Sequence, residues 1–252
     1  MFAQEREARI CRLLERKSRL SFAELKETLG VSPATLRRDL ARLEGARKLV
    51  RVHGGVLNPR RLRGEPSFTL KSREAVEAKR RIAARVAALI PEGATVLVDS
   101  GTTCLEAGRR LLERPGVRLV TNSVPLLFEA WQAGVSAIAV GGSLRTITGA
   151  LTGAGAVKGF EMVHADWALV GASGLSAERG ASTTEMTEAA SKQAMLRAAR
   201  RRVLLADGRK WESPSRVVFA GWDDFHYWVT SAGVPKAALR GLSRHKMEIF
   251  VA

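Results

Sequence analysis

Five short apolar runs recur through the last two thirds of this chain. Each ends in small or polar residues, and each is separated from the next by a helical stretch: "TVLVD" from Thr95, "VRLVTN" from Val117, "AIAVGG" from Ala137, "WALVGA" from Trp167 and "RVLLAD" from Arg202. Strands that are apolar on both sides belong to sheets covered on both faces, and parallel neighbours need a long crossover between them. The alternation therefore predicts an α/β domain with a Rossmann-like, largely parallel sheet. Three later runs, "RVVFAG", "YWVTS" and "MEIFVA", are expected to extend that sheet. One long amphipathic helix, from about Lys71 to Ile90, is expected to precede it.

In sheets of this kind ligands bind outside the carboxyl ends of the strands. The five runs are followed by Asp99-Ser100-Gly101-Thr102-Thr103, by Thr121-Asn122-Ser123, by Gly141-Gly142, by Gly171 and then Gly174, and by Asp207 and then Lys210. Any one of these is ordinary loop chemistry; five in succession predict a binding rim. "SGTT" leads into a helix and offers glycine N–H groups, hydroxyls and a helix N-terminus to an anion. Lys210 and Lys192 are placed to neutralise a phosphate, and Asp99, Asp207 and Asn122 to exchange hydrogen bonds with sugar hydroxyls. The expected ligand is a small phosphorylated polyol. A nucleotide fits less well: "GAGAVKG" is mis-spaced for the dinucleotide fingerprint, and the chain has no G-x-x-x-x-G-K-[ST].

The first sixty residues are different. They hold 14 basic and 7 acidic residues, the densest positive stretch of a chain with net charge +16, and such a surplus favours polyanion partners. Three helices are predicted. The first runs from about Gln4 to Lys17. The second opens on the capping box of Ser21 and Glu24 and ends at Gly30. The third opens at Ser32 with Pro33 in its first position. A Gly-containing turn this short between two helices describes a helix-turn-helix. On the third helix Leu36, Leu40 and Leu43 form the buried stripe. Thr35, Arg38 and Arg42 lie opposite, and Arg37 lies on the flank. These residues, with Ser32 at the helix start, are the expected contacts to bases and phosphates of double-stranded DNA. "KLVRVHGGV" then reads as a hairpin turning at Gly54-Gly55, a wing that presents Arg51 and His53.

Residues 1–57 are thus expected to form a winged helix-turn-helix domain, residues 58–70 a linker, and residues 71–252 a ligand-sensing domain. Cys11 and Cys104 are far apart and read as small apolar side chains, with no metal spacing and no disulfide framework. No cofactor is expected. No apolar run reaches membrane-spanning length, and the charged start lacks the apolar core of a signal peptide. The chain reads as cytoplasmic.

These motifs resemble a known family. "VSPATLRRDLARLE…RVHGG" is similar to the N-terminal signature of the DeoR family of bacterial transcription regulators. Phe68, Arg73 and Lys79, followed by "DSGTT", "TNS", "GG", "GASG" and "LADGRK", resemble the sensor domain of that family. That domain is similar in fold to ribose-5-phosphate isomerase. The resemblance implies a sugar-phosphate effector held by Asp99 to Thr103, Thr121 to Ser123 and Lys210, and a homodimer or homotetramer. Two departures stand out: Arg47-Lys48 where the family has Gly and an apolar residue, and Arg209 where it has Ser.

The rival expectation is a sugar-phosphate isomerase carrying a DNA-binding head, for which Asp99, Asp166, Glu188 and Asp207 are the candidate bases. Glu188, four residues before Lys192, reads more simply as a helix ion pair. His53, His164, His226 and His245 are scattered, and no metal or nucleophile constellation emerges. A nonspecific nucleic-acid-coating protein would explain the charge but not the rim. The sequence is therefore read as a repressor of a carbohydrate-metabolism operon, relieved by a phosphorylated sugar.

Overall fold

The computed structural model describes residues 3–17, 19–46, 48–52, 54–57 and 66–252. The chain divides into two compact units, Met1–Pro66 and Ser67–Ala252.

In the first unit α1 (Ala3–Arg16), α2 (Phe22–Leu29) and α3 (Pro33–Gly45) surround a core of Ile10, Leu14, Leu25, Leu36, Leu40, Leu43, Leu49 and Val56. The capping box forms as expected: the Ser21 hydroxyl accepts the Glu24 N–H at 3.1 Å, and the Glu24 carboxylate accepts the Ser21 N–H at 2.8 Å. Gly30 ends α2 with φ 62°, and Ser32 caps α3 ahead of Pro33. The hairpin is β2 (Val50–Val52) with β3 (Gly55–Leu57). A third strand, β1 (Arg19–Ser21), pairs antiparallel with β3 and was not legible in the sequence. It explains the second glycine of the turn. A Cβ on residue 55 would lie 2.3 Å from the Leu20 carbonyl oxygen, so only glycine lets the two backbones approach.

The second unit is built on a parallel seven-stranded sheet. Its strands are β4 (Thr95–Val98), β5 (Arg118–Thr121), β6 (Ala137–Ala139), β9 (Ala165–Gly171), β12 (Ala199–Leu205), β14 (Tyr227–Thr230) and β15 (Glu248–Val251). Their spatial order is β15-β14-β12-β9-β4-β5-β6. One face packs on α5 (Val76–Leu89) and α6 (Thr102–Leu112), through residues such as Ile82, Val86, Leu105 and Leu169. The other packs on α8 (Ala154–Glu161) and α9 (Met186–Ala198), through Ala156, Phe160, Ala194 and Met195. Covering both faces is what makes the central strands apolar throughout. Between β6 and α8 the hairpin of β7 (Ser143–Arg145) and β8 (Ala150–Thr152) stands apart as its own pair. No helix among the described residues is long and apolar enough to cross a membrane.

Two expectations are corrected. "RVVFAG" does not join the main sheet. As β13 (Val217–Ala220) it pairs antiparallel with β11 (Gly180–Thr183), which pairs with β10 (Gly174–Ser176). Phe219 and Ala220 are buried but Val218 is exposed, the one-sided pattern of an outlying antiparallel strand, while β14 pairs directly with β12. The helix expected from Lys71 to Ile90 is also two helices, α4 (Phe68–Arg73) and α5, broken where Ala75 adopts φ 47°. The Phe68 N–H is fixed to the Ile147 carbonyl, and the Lys79 ammonium donates to the Lys71 carbonyl. In one continuous helix these last two residues would stand about 12 Å apart along the axis. The break therefore folds the end of α4 back over the start of α5.

Gly55→Ala tests the packing of the wing. Its Cβ meets a backbone oxygen that cannot rotate away, so a loss of about 1–3 kcal/mol is expected. Urea denaturation followed by circular dichroism measures it; an unchanged midpoint would mean that β1 and β3 separate without cost.

Candidate functional site

The strand order reverses between β4 and β9. From β4 the chain adds β5 and β6 on one side; from β9 it adds β12, β14 and β15 on the other. Ligands of open α/β sheets bind in the crevice at such a reversal. Asp99 stands there. Its Oδ2 accepts the Gly171 N–H at 3.0 Å from the end of β9, and the Lys192 ammonium from α9 at 2.5 Å. Both partners of this ion pair are buried. Burial alone would lower the Lys192 pKa, but Asp99 and Glu188 outweigh it and hold the ammonium charged. Burial, followed by Asp99, pushes the neighbouring Cys104 thiol well up.

Lys192 thus pairs with Asp99, and the expected helix pair with Glu188 is not its arrangement. The Glu188 carboxylate is held by Thr148 at 2.9 Å, Thr183 at 3.0 Å and Arg145 at 3.2 Å. The residue four places away is drawn off by the stronger demand of Asp99 at the crevice.

Around this pair the structure gathers the rim. Because the strands are parallel, their carboxyl ends share one edge, in the order Asp207–Lys210, Gly171, Asp99–Thr103, Thr121–Ser123, Gly141–Gly142. Gly101 caps α6 without a side chain, so the first N–H groups of that helix have no capping oxygen. On this edge, the Asn122 amide donates to the Leu151 carbonyl at 3.2 Å while its buried Oδ1 has no partner among the described residues. Other predicted residues are committed to the scaffold. The Thr121 hydroxyl donates to the Val98 carbonyl at 2.5 Å and accepts the Ser123 N–H, and Ser123 caps the helix Val124–Gln132. Gly142, at φ 128°, lies against the Thr152 carbonyl. Gly174 lies against the Ser213 backbone, where a Cβ would be 1.9 Å from the carbonyl oxygen.

Asp207 stands two strands from Asp99, roughly 10 Å along the edge. Its carboxylate is engaged by Arg209, which also reaches Glu74 at 3.6 Å. Arg209 and Lys210 hold the Asp207 carboxyl below its ordinary range despite burial. This leaves two desolvated ammonium groups without a carboxylate in contact among the described residues. Lys79 is 4% exposed and, among those residues, donates only to the Lys71 carbonyl. The Lys210 side chain makes no hydrogen bond or ion pair among the described residues. Burial lowers both pKa values, that of Lys79 to about 8. Asp207 opposes this, and the neighbouring cations add to it. With Lys71 and Arg209 nearby, the cluster carries four cations against Asp207 and Glu74. Lys79 is the residue that a reading of strand ends misses, since it belongs to the helix before the first strand.

In the first unit α3 exposes Ser32, Arg37, Arg38 and Arg42 on one side, with Thr35 half-buried. Arg42 is tied to Asp39 at 2.7 Å and Glu7 at 3.1 Å, and Arg37 lies 6.0 Å from the Phe22 ring centroid. Asp39 is 1% exposed. Burial alone would raise its carboxyl, but bonds from Arg6 and Arg42 outweigh it and hold it low. Arg38 makes no side-chain contact of this kind among the described residues, and Arg51 on β2 is exposed. The Ser32 and Thr35 hydroxyls meet at 2.9 Å. His53 and Arg47 lie outside the described residues.

Family models match both units: the DeoR-like helix-turn-helix domain over residues 6–61 and the DeoR C terminal sensor domain over residues 74–232. The HTH-type transcriptional regulator GlpR of Haloferax volcanii is 34% identical over 91% of this chain and 90% of its own length. The glycerol-3-phosphate regulon repressor of Escherichia coli is 28% identical over 95% of each. Among solved structures, ribose 5-phosphate isomerase A of Methanocaldococcus jannaschii matches 54% of each chain at 15% identity, with a TM-score of 0.41.

A lysine whose pKa falls on folding costs stability while it is charged. For Lys79 that cost stands in full below pH 8 and fades as pH rises from about 8 toward 10.5, because the unfolded chain there binds more protons. Lys79→Met is therefore expected to raise the ligand-free melting temperature at pH 7, by about 2–4 °C for each kcal/mol relieved. The gain should shrink as the scan is repeated toward pH 10. A lower melting temperature at pH 7 would mean that the bond to the Lys71 carbonyl outweighs the desolvation.

Proposed function

Because the chain belongs to the DeoR family of transcription regulators, we propose that it represses a carbohydrate-metabolism operon and releases operator DNA when a phosphorylated sugar intermediate occupies the carboxyl edge of its sensor sheet. The observation that carries this reading is the unbalanced charge at that edge. Lys79 and Lys210 are desolvated and without carboxylate contacts, beside uncapped helix N–H groups and hydroxyls. A phosphate supplies the missing negative charge, and the sugar hydroxyls meet Asn122, Ser100, Thr102 and Thr103. The name of one relative, the glycerol-3-phosphate regulon repressor, supports the same class of ligand.

On DNA, α3 lies in the major groove. Arg38 reads a base edge, Ser32, Thr35 and Arg37 contact bases or backbone beside it, and Arg42 and Arg51 face phosphates. The protein acts in the cytoplasm as a homodimer or homotetramer, so that paired heads meet paired half-sites. Release requires only that the effector bind the DNA-free state more tightly than the DNA-bound one.

The protein is a regulator rather than an enzyme. An isomerase base needs a carboxylate free to take a proton. Asp99 is locked to Lys192, Glu188 to two hydroxyls and an arginine, and Asp207 to Arg209. Asp166 accepts the Thr95 N–H at the amino edge of the sheet.

Fluorescence anisotropy on a duplex from upstream of its own operon, at fixed salt with competitor DNA, tests both halves. Arg38→Ala is expected to weaken operator binding by about 1–3 kcal/mol and to flatten the salt dependence. Thr102→Ala/Lys210→Ala should bind operator normally but ignore every sugar phosphate that releases the parent. Unchanged affinity in the first, or a full effector response in the second, removes the corresponding assignment.

A further inference from the structure

The amino edge of the same sheet carries a cavity that the effector reading leaves unused. It has a volume of about 600 Å³, within the range of small-molecule sites. It is formed where β9, β12 and β14 begin, and its lining includes Trp167, Arg200, Arg201, His226 and Tyr227. The seven residues of β9 separate it from Gly171 by roughly 20 Å, so it is a different place from the rim.

One of its cations is positioned by an aromatic ring, and neither is neutralised by an ion pair among the described residues. The Arg201 guanidinium lies 5.0 Å from the Trp167 ring centroid, and that ring stacks on Tyr227 at 5.7 Å. The stack continues to Phe250 at 6.2 Å, whose ring carries Arg85 at 4.1 Å. An aromatic face holds a guanidinium in place while leaving all its N–H groups unused. Neither Arg200 nor Arg201 forms an ion pair among the described residues.

His226 adds a neutral donor. Its Nδ1 accepts the Arg202 N–H at 3.1 Å, which leaves the ring proton on Nε2, and burial with Arg202 and Arg201 nearby lowers its pKa. Acceptors are present too. Asp166 spends Oδ2 on the Thr95 N–H at 2.9 Å and keeps Oδ1, and Glu92 contributes a second carboxylate to the lining. Arg200, Arg201, His226, Asp166 and Glu92 all line this one cavity, a set whose chemistry matches a ligand with an anionic end and hydroxyls.

We propose that this amino-edge cavity is a second small-molecule site, in which Arg200 and Arg201 clamp an oxyanion and Asp166 and Glu92 receive the hydroxyls of a short polyol scaffold. Arginine forks suit phosphate and carboxylate alike, so the ligand class is a hydroxylated oxyanion of either kind. The sensor then reads two ligands, at opposite ends of β9 and β12.

The test is isothermal titration of the full chain with glycerol 3-phosphate and, separately, with glycerate. The Thr102→Ala/Lys210→Ala background removes the rim's contribution. One saturable equivalent should persist in that background for at least one of the two ligands, and the responding ligand identifies the oxyanion. Arg200→Gln, which touches no aromatic ring, should weaken this event by about tenfold, the effect of one lost charged contact. Adding Arg201→Gln should abolish it. Arg200→Gln alone is expected to melt with the parent, so a loss of binding there is not a loss of fold. No saturable heat with either ligand at millimolar concentration overturns the proposal. So does binding that the arginine variants leave unchanged, which would mark the residual event as belonging to the rim. A failed effector response at the rim with this event intact would count against the proposed switch alone.

Discussion

The Asp99 carboxylate ties the sensor together at the point where its strand order reverses. There β4 and β9 pair side by side, and the segments that follow them leave on opposite faces of the sheet, opening a gap at the strand ends. One oxygen of Asp99 closes the gap by accepting the Gly171 N–H and the Lys192 ammonium together. Burying such a pair brings little net stability, since desolvation consumes most of the Coulombic gain, but breaking it leaves a buried charge. The pair therefore acts chiefly as a constraint. It fixes the distance between two strand ends and the helix that crosses them, and with it the shape of the crevice.

That constraint redistributes the chemistry of the rim. Lys192 is buried in the crevice but is neutralised, so the desolvated ammonium groups left without a carboxylate contact among the described residues are Lys79 and Lys210. Their placement depends on the broken helix. A continuous helix from residue 68 to residue 89 would carry the Lys71 carbonyl a full two turns from Lys79. The left-handed turn at Ala75 brings it within reach, and among the described residues it is the one hydrogen-bond acceptor of a buried ammonium. A non-glycine residue at positive φ and two desolvated lysines are both unfavourable locally. Unfavourable features that coincide at one edge are the local cost expected of the proposed effector site.

Much of this was legible in the sequence because it rests on period and punctuation. The apolar runs gave the order of the main strands, the Ser21/Glu24 box and Pro33 gave the helix starts, and the Leu36, Leu40, Leu43 stripe gave the head's core. What was not legible depends on contacts distant in the chain. β1 is three residues long and exists only because β3 pairs with it. The helix break carries no punctuating residue: it falls at Ala75, an ordinary helix former that adopts φ 47°. The partner of Lys192 lies 93 residues away, so a local rule assigned it to Glu188. "RVVFAG" has a strand's composition, and composition does not say which sheet accepts it. Lys79 precedes every strand of the sensor sheet, so reading strand ends passes over it.

The two units solve the same problem in the same way. Each must present positive charge to an anion while remaining folded around its own cations. In the head, buried Asp39 collects Arg6 and Arg42, and Phe22 lies beneath Arg37, so the cations that fix the helix are separated from Arg38, which faces outward. In the sensor, buried Asp99 collects Lys192 and Asp207 collects Arg209, while Lys79 and Lys210 stay uncompensated. The penalty of a few tenths of a kcal/mol for arginine near a helix start is small beside a single charged hydrogen bond to phosphate. A buried carboxylate that selects which cations are neutralised therefore decides more than net charge does: it determines where on a basic surface an anion is held.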